Sequence, residues 1–167
     1  MRVVVADATP LHYLILVDAA EILPRLFGAI HIPTEVHNEL THSATPATVK
    51  GWMLRKPEWL TIHPSLGRGE DESLEVLDAG ERAAIMLARV VRADLLVMDE
   101  RAGAAMARSK GFAVTGTLGV LDLASRAGLI SLREVFPRLQ GTNFRYAPSL
   151  LEQLLVEEDL RNKPRGD

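Results

Sequence analysis

Short apolar runs alternate with amphipathic segments along the whole chain. We predict strands in five of the runs, RVVVA, AIHI, WLTIH, DLLVMD and FAVTG. The first run lacks the polar alternation of a half-exposed strand, which indicates a strand buried on both faces. Leucine and alanine recur at helical spacing between the runs, most clearly in DAGERAAIMLARVVRA. Asp78 is the predicted N-cap of that helix, and Glu81, three positions later, completes a capping box.

This order of elements predicts the fold class. Short buried strands that alternate with helices form a parallel sheet covered on both faces, with right-handed crossovers. We therefore predict an α/β fold, a three-layer α/β/α sandwich around a central, mostly parallel five-stranded sheet. The length of 167 residues suits one domain with a sizeable core. We place that domain at residues 1–157 and expect 158–167 to be a flexible C-terminal tail.

Composition narrows the possible functions. The chain has 19 basic and 22 acidic residues, a balance too near neutral for a protein that coats nucleic acid by bulk attraction. It has no cysteine, which excludes disulfides and cysteine-ligated metal sites and fits a cytoplasmic location. Asp7 and Asp18 interrupt the N-terminal apolar stretch, so we expect no signal peptide. The other apolar runs fall well short of the roughly 20 residues that span a bilayer, so we expect no membrane association.

Two of the predicted strands end on a carboxylate. VVVAD ends at Asp7, and LLVMD ends at Asp99. In open parallel sheets, ligands bind at the carboxyl ends of the strands, near the point where strand order reverses. If these strands are neighbours, their carboxylates lie within reach of one cation. Oxygen ligands without cysteine favour Mg²⁺ or Mn²⁺, ions that commonly serve phosphate chemistry, and a nuclease is one natural outcome.

Each candidate acid also has a structural explanation when it is taken singly. Asp7 precedes Thr-Pro and suits an N-cap, and Asp99 could cap the helix ERAGAAMA. Glu81 belongs to the capping box, and Glu39 alone is typical of a solvated helix residue. The sequence pattern therefore leaves capping and metal binding open for these four positions.

Five ordered motifs together resemble the PIN-domain family, the metal-dependent ribonuclease fold that includes the VapC-like toxins. The motifs are VVADATPL, IPTEVHNEL, DAGERAAIMLA, DLLVMDERAG and VTGTLGVLDLA, and the resemblance covers Met1 to about Glu157. GERAAI combined with GTLGVL is most similar to a longer PIN branch. The family carries four acidic positions, and this sequence fills them in order with Asp7, Glu39, Glu81 and Asp99.

The resemblance implies roles for these residues. The four acids are expected to be the catalytic residues and to bind one or two Mg²⁺ or Mn²⁺ ions that activate water for in-line attack on a phosphodiester. Asp7 and Asp99 are the expected direct ligands, and Glu39 and Glu81 complete the shell or position water. Thr9 and Thr117 are expected to orient the ligating carboxylates through their hydroxyl groups without binding the metal themselves.

The resemblance also implies partners. RNA is the expected substrate, a small antitoxin protein is the expected inhibitor, and homodimerisation is common in the family. Arg68, Arg82 and Arg101 lie near the motifs and are candidates to face a phosphate backbone, although solvated surface arginines are an equal alternative. Glu100 departs from the family pattern, because an aspartate or a basic residue commonly follows the fourth acid.

Three functional hypotheses follow. The first is a Mg²⁺- or Mn²⁺-dependent endoribonuclease that is the toxin of a toxin–antitoxin pair. The alternative is a non-catalytic PIN scaffold that binds RNA or a protein partner, as Glu100 and the sparse basic residues of the following helix suggest. The third is an aspartyl phosphotransferase with Asp7 as nucleophile. That class normally has a second aspartate two residues on, where this chain has Thr9.

Overall fold

The computed structural model describes residues 2–166, and its centre is a five-stranded sheet. The strands are β1 (Val4–Ala6), β2 (Ile30–Pro33), β3 (Leu60–His63), β4 (Leu95–Val97) and β5 (Val114–Thr115). Their order is β3-β2-β1-β4-β5, and all neighbours pair in parallel. The predicted α/β sandwich and its five strands are confirmed.

Helices cover both faces of this sheet. They are α1 (Ala8–Leu16), α2 (Ile22–Phe27), α3 (Thr34–Leu40), α4 (Ala47–Leu54), α5 (Ala79–Val90), α6 (Arg101–Ser109), α7 (Thr117–Arg126), α8 (Leu132–Gln140) and α9 (Pro148–Asn162), with a 3₁₀ helix at Glu72–Val76. Helices α1–α4 and α7–α9 pack into one core with Val4 and Ala6 of β1. Helices α5 and α6 pack into a second core with Val5. Within residues 2–166 no helix is long and apolar enough to cross a membrane.

The centre of the sheet positions the candidate site. Strands β1 and β4 are neighbours, with Val4 opposite Leu95 and Ala6 opposite Val97. Strand order reverses between them, because β2 and β3 lie on one side of β1 whereas β4 and β5 lie on the other. Asp7 and Asp99 therefore follow adjacent strands at the switch point, where open α/β sheets bind their ligands.

Helix ends follow the residues that the sequence provides for them. The Asp78 carboxylate accepts a 2.8 Å hydrogen bond from the backbone N–H of Glu81, which is the predicted cap of α5. Gly111 and Gly128 follow α6 and α7 with φ of 92° and 73°. A side chain is strained in this left-handed region, so glycine allows the chain to turn out of each helix.

The C-terminal helix α9 extends past the predicted domain boundary at residue 157. Its Glu158 is 2% exposed and accepts hydrogen bonds from the backbone N–H groups of Leu132, at 2.7 Å, and Arg133, at 3.3 Å. The hydroxyl groups of Ser125 and Ser131 donate to the same carboxylate. Burial alone would raise the pKa of Glu158, but these bonds outweigh it and lower the pKa. Glu158 thus caps α8 from another helix and anchors α9 to the domain.

Glu158→Ala is expected to destabilise the fold by about 1–3 kcal/mol, because it leaves the buried N–H groups at the start of α8 without their acceptor. Urea denaturation followed by circular dichroism measures the effect. Glu152→Ala, an exposed change on the same helix, is the matched control. Equal midpoints for the two variants would contradict the capping role.

Candidate active site

Asp7 lies at the end of β1, where its backbone N–H donates to the carbonyl of Val97 at 2.9 Å. It occupies the N-cap position of α1, yet its side chain accepts no capping hydrogen bond from that helix. The side chain is 4% exposed. Burial raises its pKa to about 7, the N–H of Ala8 lowers it in part, and the carboxylates of Glu39, Asp78 and Asp99 raise it. Capping therefore does not explain this buried carboxylate.

Gly80, in the first turn of α5, marks the point where three carboxylates meet. A Cβ atom at Gly80 would lie 3.0 Å from Glu39 Oε2, 3.5 Å from Asp7 Oδ1 and 3.6 Å from Asp78 Oδ1. The absence of a side chain there leaves a small space lined by carboxylate oxygens. Partial burial, together with the charge of Asp78, raises the pKa of Glu39. Such a space, bordered by the carboxyl groups of Asp7 and Glu39 with their raised pKa values, suits a cation.

Glu81 is held between α5 and α6. Its side chain is 7% exposed. A Cβ at Gly103 of α6 would lie 2.7 Å from Met98 Sδ and 3.2 Å from Glu81 Cδ, so glycine at this position leaves room for both side chains. Burial raises the pKa of Glu81, and the carboxylates of Asp78, Asp7 and Glu100 add to the effect. Glu81 therefore belongs to the same group of interacting acids as Asp7, whose charge raises its pKa.

Asp99 follows β4 and is fixed by the start of α7. It accepts hydrogen bonds from the backbone N–H of Thr117, at 2.8 Å, and from the Thr117 hydroxyl, at 2.6 Å. Gly116 is required beside it, because a Cβ there would lie 2.4 Å from Asp99 Oδ1. Burial raises the pKa of Asp99, while the two bonds from Thr117 lower it in part. Thr117 thus orients Asp99, and the N-cap residue of α6 is Glu100 instead of Asp99.

A cavity of about 780 Å³ opens beside these acids. Glu39, Asp99 and Glu100 line it on the acidic side. Thr9 lines it from the first turn of α1, and among the described residues its hydroxyl forms no hydrogen bond with Asp7. The cavity therefore places open solvent space next to Glu39 and Asp99, whereas the buried Asp7 and Glu81 are not among its lining residues.

The three predicted arginines are placed differently. Arg101, at the start of α6, is exposed and lines the cavity. Arg82 is half-buried in α5, and Arg68 is exposed in the loop before the 3₁₀ helix; neither is among the residues lining the cavity. Arg101 is consequently the one of the three that is positioned to meet a phosphate at the acids.

Sequence reasoning missed several residues of this site. Asp78 is predicted only as a cap, and its proximity to the other acids depends on the approach of α3 to α5. The far wall of the cavity was also missed, and it is formed by His12, Tyr13, Asn143, Phe144 and Arg145. The aromatic and basic residues of the segment NFRY are the sequence signal for that wall, and they lie far along the chain from the acidic motifs.

The residues present fit a divalent cation by their chemistry. Asp7, Glu39, Glu81 and Asp99 offer oxygen donors, which Mg²⁺ and Mn²⁺ prefer. Burial, with a smaller contribution from neighbouring carboxylates, raises the pKa of each, and a cation beside them would favour their charged forms. Within residues 2–166 no three side chains of the usual ligand types form a closed coordination group. This arrangement is compatible with Mg²⁺, which keeps several waters and commonly takes only one or two protein carboxylates.

Comparison with known proteins identifies the fold family. The family model DUF3368, described as a PIN domain, matches residues 3–159. A comparison with curated proteins gave no match. The match covers all five strands and the four predicted acids, and PIN domains have a nuclease-type fold. The chain belongs to the PIN-domain family.

Proposed function

We propose that this protein is a Mg²⁺- or Mn²⁺-dependent endoribonuclease. The observation that carries the proposal is the convergence of carboxylates around Gly80 at the switch point of the sheet, beside an open cavity. Asp7, Asp99, Glu39 and Glu81 would hold one or two ions. When bound, such an ion supplies an activated water and a counter-charge for hydrolysis of a phosphodiester.

The remaining side chains have distinct tasks in this proposal. Thr117 fixes both oxygens of Asp99, so that this ligand is oriented before metal or substrate arrives. Gly80 keeps a space that a methyl group would fill. Arg101 stands at the rim, where its guanidinium can pair with a phosphate oxygen of the substrate.

The test is cleavage of a fluorescently labelled single-stranded RNA by the purified protein. We expect cleavage with Mn²⁺ or Mg²⁺ and none when EDTA is present. Thr117→Val should lower the rate by about 10- to 100-fold, because Asp99 loses the hydroxyl that orients it. Thr61→Val, a change of the same kind at an exposed position of the edge strand β3, should leave the rate unchanged. Full activity in EDTA would overturn the metal-dependent mechanism.

A second function is favoured by two observations. The described residues contain no closed group of three ligands, and Glu100 adds another negative charge at the cavity. Both features suit a PIN scaffold that binds RNA or a protein without cutting. Titration with Mn²⁺ by calorimetry separates the two functions, because a scaffold predicts no binding at millimolar Mn²⁺.

We also propose a biological setting, which rests on the family resemblance. In this setting the protein is the cytoplasmic toxin of a toxin–antitoxin pair, is inhibited by a small antitoxin protein and forms a homodimer.

A further inference from the structure

The cavity beside the acids has a second wall that the proposed chemistry does not use. This wall is formed by His12 and Tyr13 of α1 and by the segment 143–145 between α8 and α9. At about 780 Å³, the cavity is as large as pockets that enclose whole small-molecule ligands. A hydrated ion and one phosphate group leave much of that space unfilled.

Aromatic rings build this wall, and they are fixed before any ligand arrives. Tyr13 and Phe144 meet edge to face, with ring centroids 5.0 Å apart and an interplanar angle of 67°. His12 packs against Tyr13 at 4.8 Å, and Phe144 stacks on Tyr146 at 6.5 Å. Such rigid aromatic surfaces offer stacking area at low entropic cost, because few side-chain torsions remain to be ordered.

Asn143 adds directional hydrogen bonding to the wall. The Tyr13 hydroxyl donates to Asn143 Oδ1 at 2.8 Å, which fixes the amide plane. The exposed amide nitrogen of Asn143 donates to no acceptor within residues 2–166. It therefore presents two N–H donors that match the carbonyl oxygens and ring nitrogens at a base edge.

Positive charge lies next to this donor. Arg145 is exposed, lines the cavity and forms no ion pair within the described part of the chain. Its guanidinium lowers the pKa of Tyr13, whereas burial and the carboxylate of Asp99 raise it. Tyr13 therefore lies within electrostatic reach of both the acidic site and Arg145. A nucleotide bound between the acidic site and Arg145 would place its base at the wall and a phosphate at the acids.

We infer that this wall is a binding site for one unpaired nucleobase, next to the phosphodiester that is cleaved. The base stacks on the Tyr13–Phe144 surface, Asn143 donates to its edge, and Arg145 pairs with a neighbouring phosphate. The inference rests on the proposed function in that it takes RNA as the ligand. It makes single-stranded RNA the preferred form, because bases inside an A-form duplex are stacked and their major-groove edges are inaccessible.

Binding in EDTA tests the site independently of catalysis. Fluorescence anisotropy compares a labelled 12-nucleotide single-stranded RNA with a blunt duplex of the same sequence. We expect the single strand to bind at least about 10-fold more tightly than the duplex. Phe144→Leu should weaken binding of the single strand by about 10-fold, and Asn143→Ala should weaken it and reduce discrimination among homopolymers. Asn162→Ala, at the exposed end of α9, is the matched control, and thermal melting verifies that each variant is folded.

The outcomes separate this inference from the proposed function. If the wild type does not cleave RNA but the two variants bind it more weakly than the control, the nuclease proposal fails and the base site stands. If the wild type cleaves RNA and the variants match the control in both affinity and KM, the base site is wrong. Where cleavage is observed, the variants should raise KM and leave kcat unchanged, because they act on the bound nucleotide and do not contact the ligating acids.

Discussion

Asp7→Asn is expected to abolish RNA cleavage and, at the same time, to stabilise the metal-free protein. Asparagine keeps the shape of the side chain but removes the charge that would hold a divalent cation. We expect the rate of cleavage to fall by at least about 100-fold. Mutation of a residue that only orients a metal ligand already lowers metal affinity or activity by about 10- to 100-fold. Stability rises because the buried carboxylate is replaced by a neutral group that can donate to the carboxylates around it.

Both halves of this prediction can be measured on the same protein. RNA cleavage is assayed in Mn²⁺, and the free energy of unfolding is measured by urea denaturation in EDTA at pH 8. Asp18→Asn is the matched control, because Asp18 is exposed and has φ of 57°, which asparagine tolerates. A variant that cleaves at the wild-type rate would exclude Asp7 from the mechanism, and a destabilised variant would show that its carboxylate is not strained by burial.

The same substitution also tests the proposed role in the cell. Expression of the wild type without an antitoxin should arrest growth, whereas expression of Asp7→Asn at the same level should not. Equal growth of the two strains would contradict the toxin proposal. The ribonuclease activity itself is tested separately by the cleavage assay.

The sheet and the strand-end acids could be predicted because their signals are local. A buried strand is recognisable from VVVA alone, and a carboxylate directly after it must lie at the carboxyl edge of a parallel sheet. The capping box of Asp78 and Glu81 is equally local. The sequence could not show whether Asp7 caps α1 or binds a metal, because the residue occupies the N-cap position of the helix in either case. The missing capping hydrogen bond decides against a capping function.

Other features depend on packing that periodicity does not encode. Tyr13 and Asn143 are brought together because α7 packs on α1 and α8 packs on α7, and no spacing in the sequence indicates which loop covers the cavity. The convergence of Glu39 and Asp78 depends in the same way on α3 meeting α5. Glu158, in the part of α9 beyond the predicted boundary, caps a helix that begins far earlier in the chain, and no local pattern in the sequence indicates that contact.

The stability of the metal-free protein is expected to fall as pH rises from about 4 to about 7, and Mn²⁺ should restore it. Folding raises the pKa of Asp7 from 3.8 to about 7. Between these values the unfolded chain releases the proton while the folded chain keeps it, so the unfolded state binds fewer protons and the free energy of unfolding decreases with pH. Above about pH 7 Asp7 is ionised in both the folded and the unfolded state, and the folded protein carries the full cost of the buried charge.

Comparison with Asp7→Asn separates the effect of the Asp7 charge, including its repulsion of Glu81, from the effects of titrating groups elsewhere in the protein. Hydrogen bonds lower the pKa values of Asp71, Glu158 and Asp159 and outweigh the opposing effect of burial, so these groups add stability as pH rises, in the wild type and the variant alike. The difference in unfolding free energy between the two proteins should be small near pH 4 and approach an upper bound on the order of 4 kcal/mol near pH 8 in EDTA.

Millimolar Mn²⁺ should stabilise the wild type at pH 8, leave Asp7→Asn nearly unchanged, and lose its effect towards pH 5, where protons compete for the same oxygens. Asp7→Asn thus shows how the protein responds to pH and Mn²⁺ when the charge of Asp7 is absent. A wild-type midpoint that does not respond to Mn²⁺ at pH 8 would mean that the acids are not arranged for a cation. The instability of the acidic group without metal and the proposed activity with metal therefore have one physical cause, the burial of like charges at the switch point of the sheet.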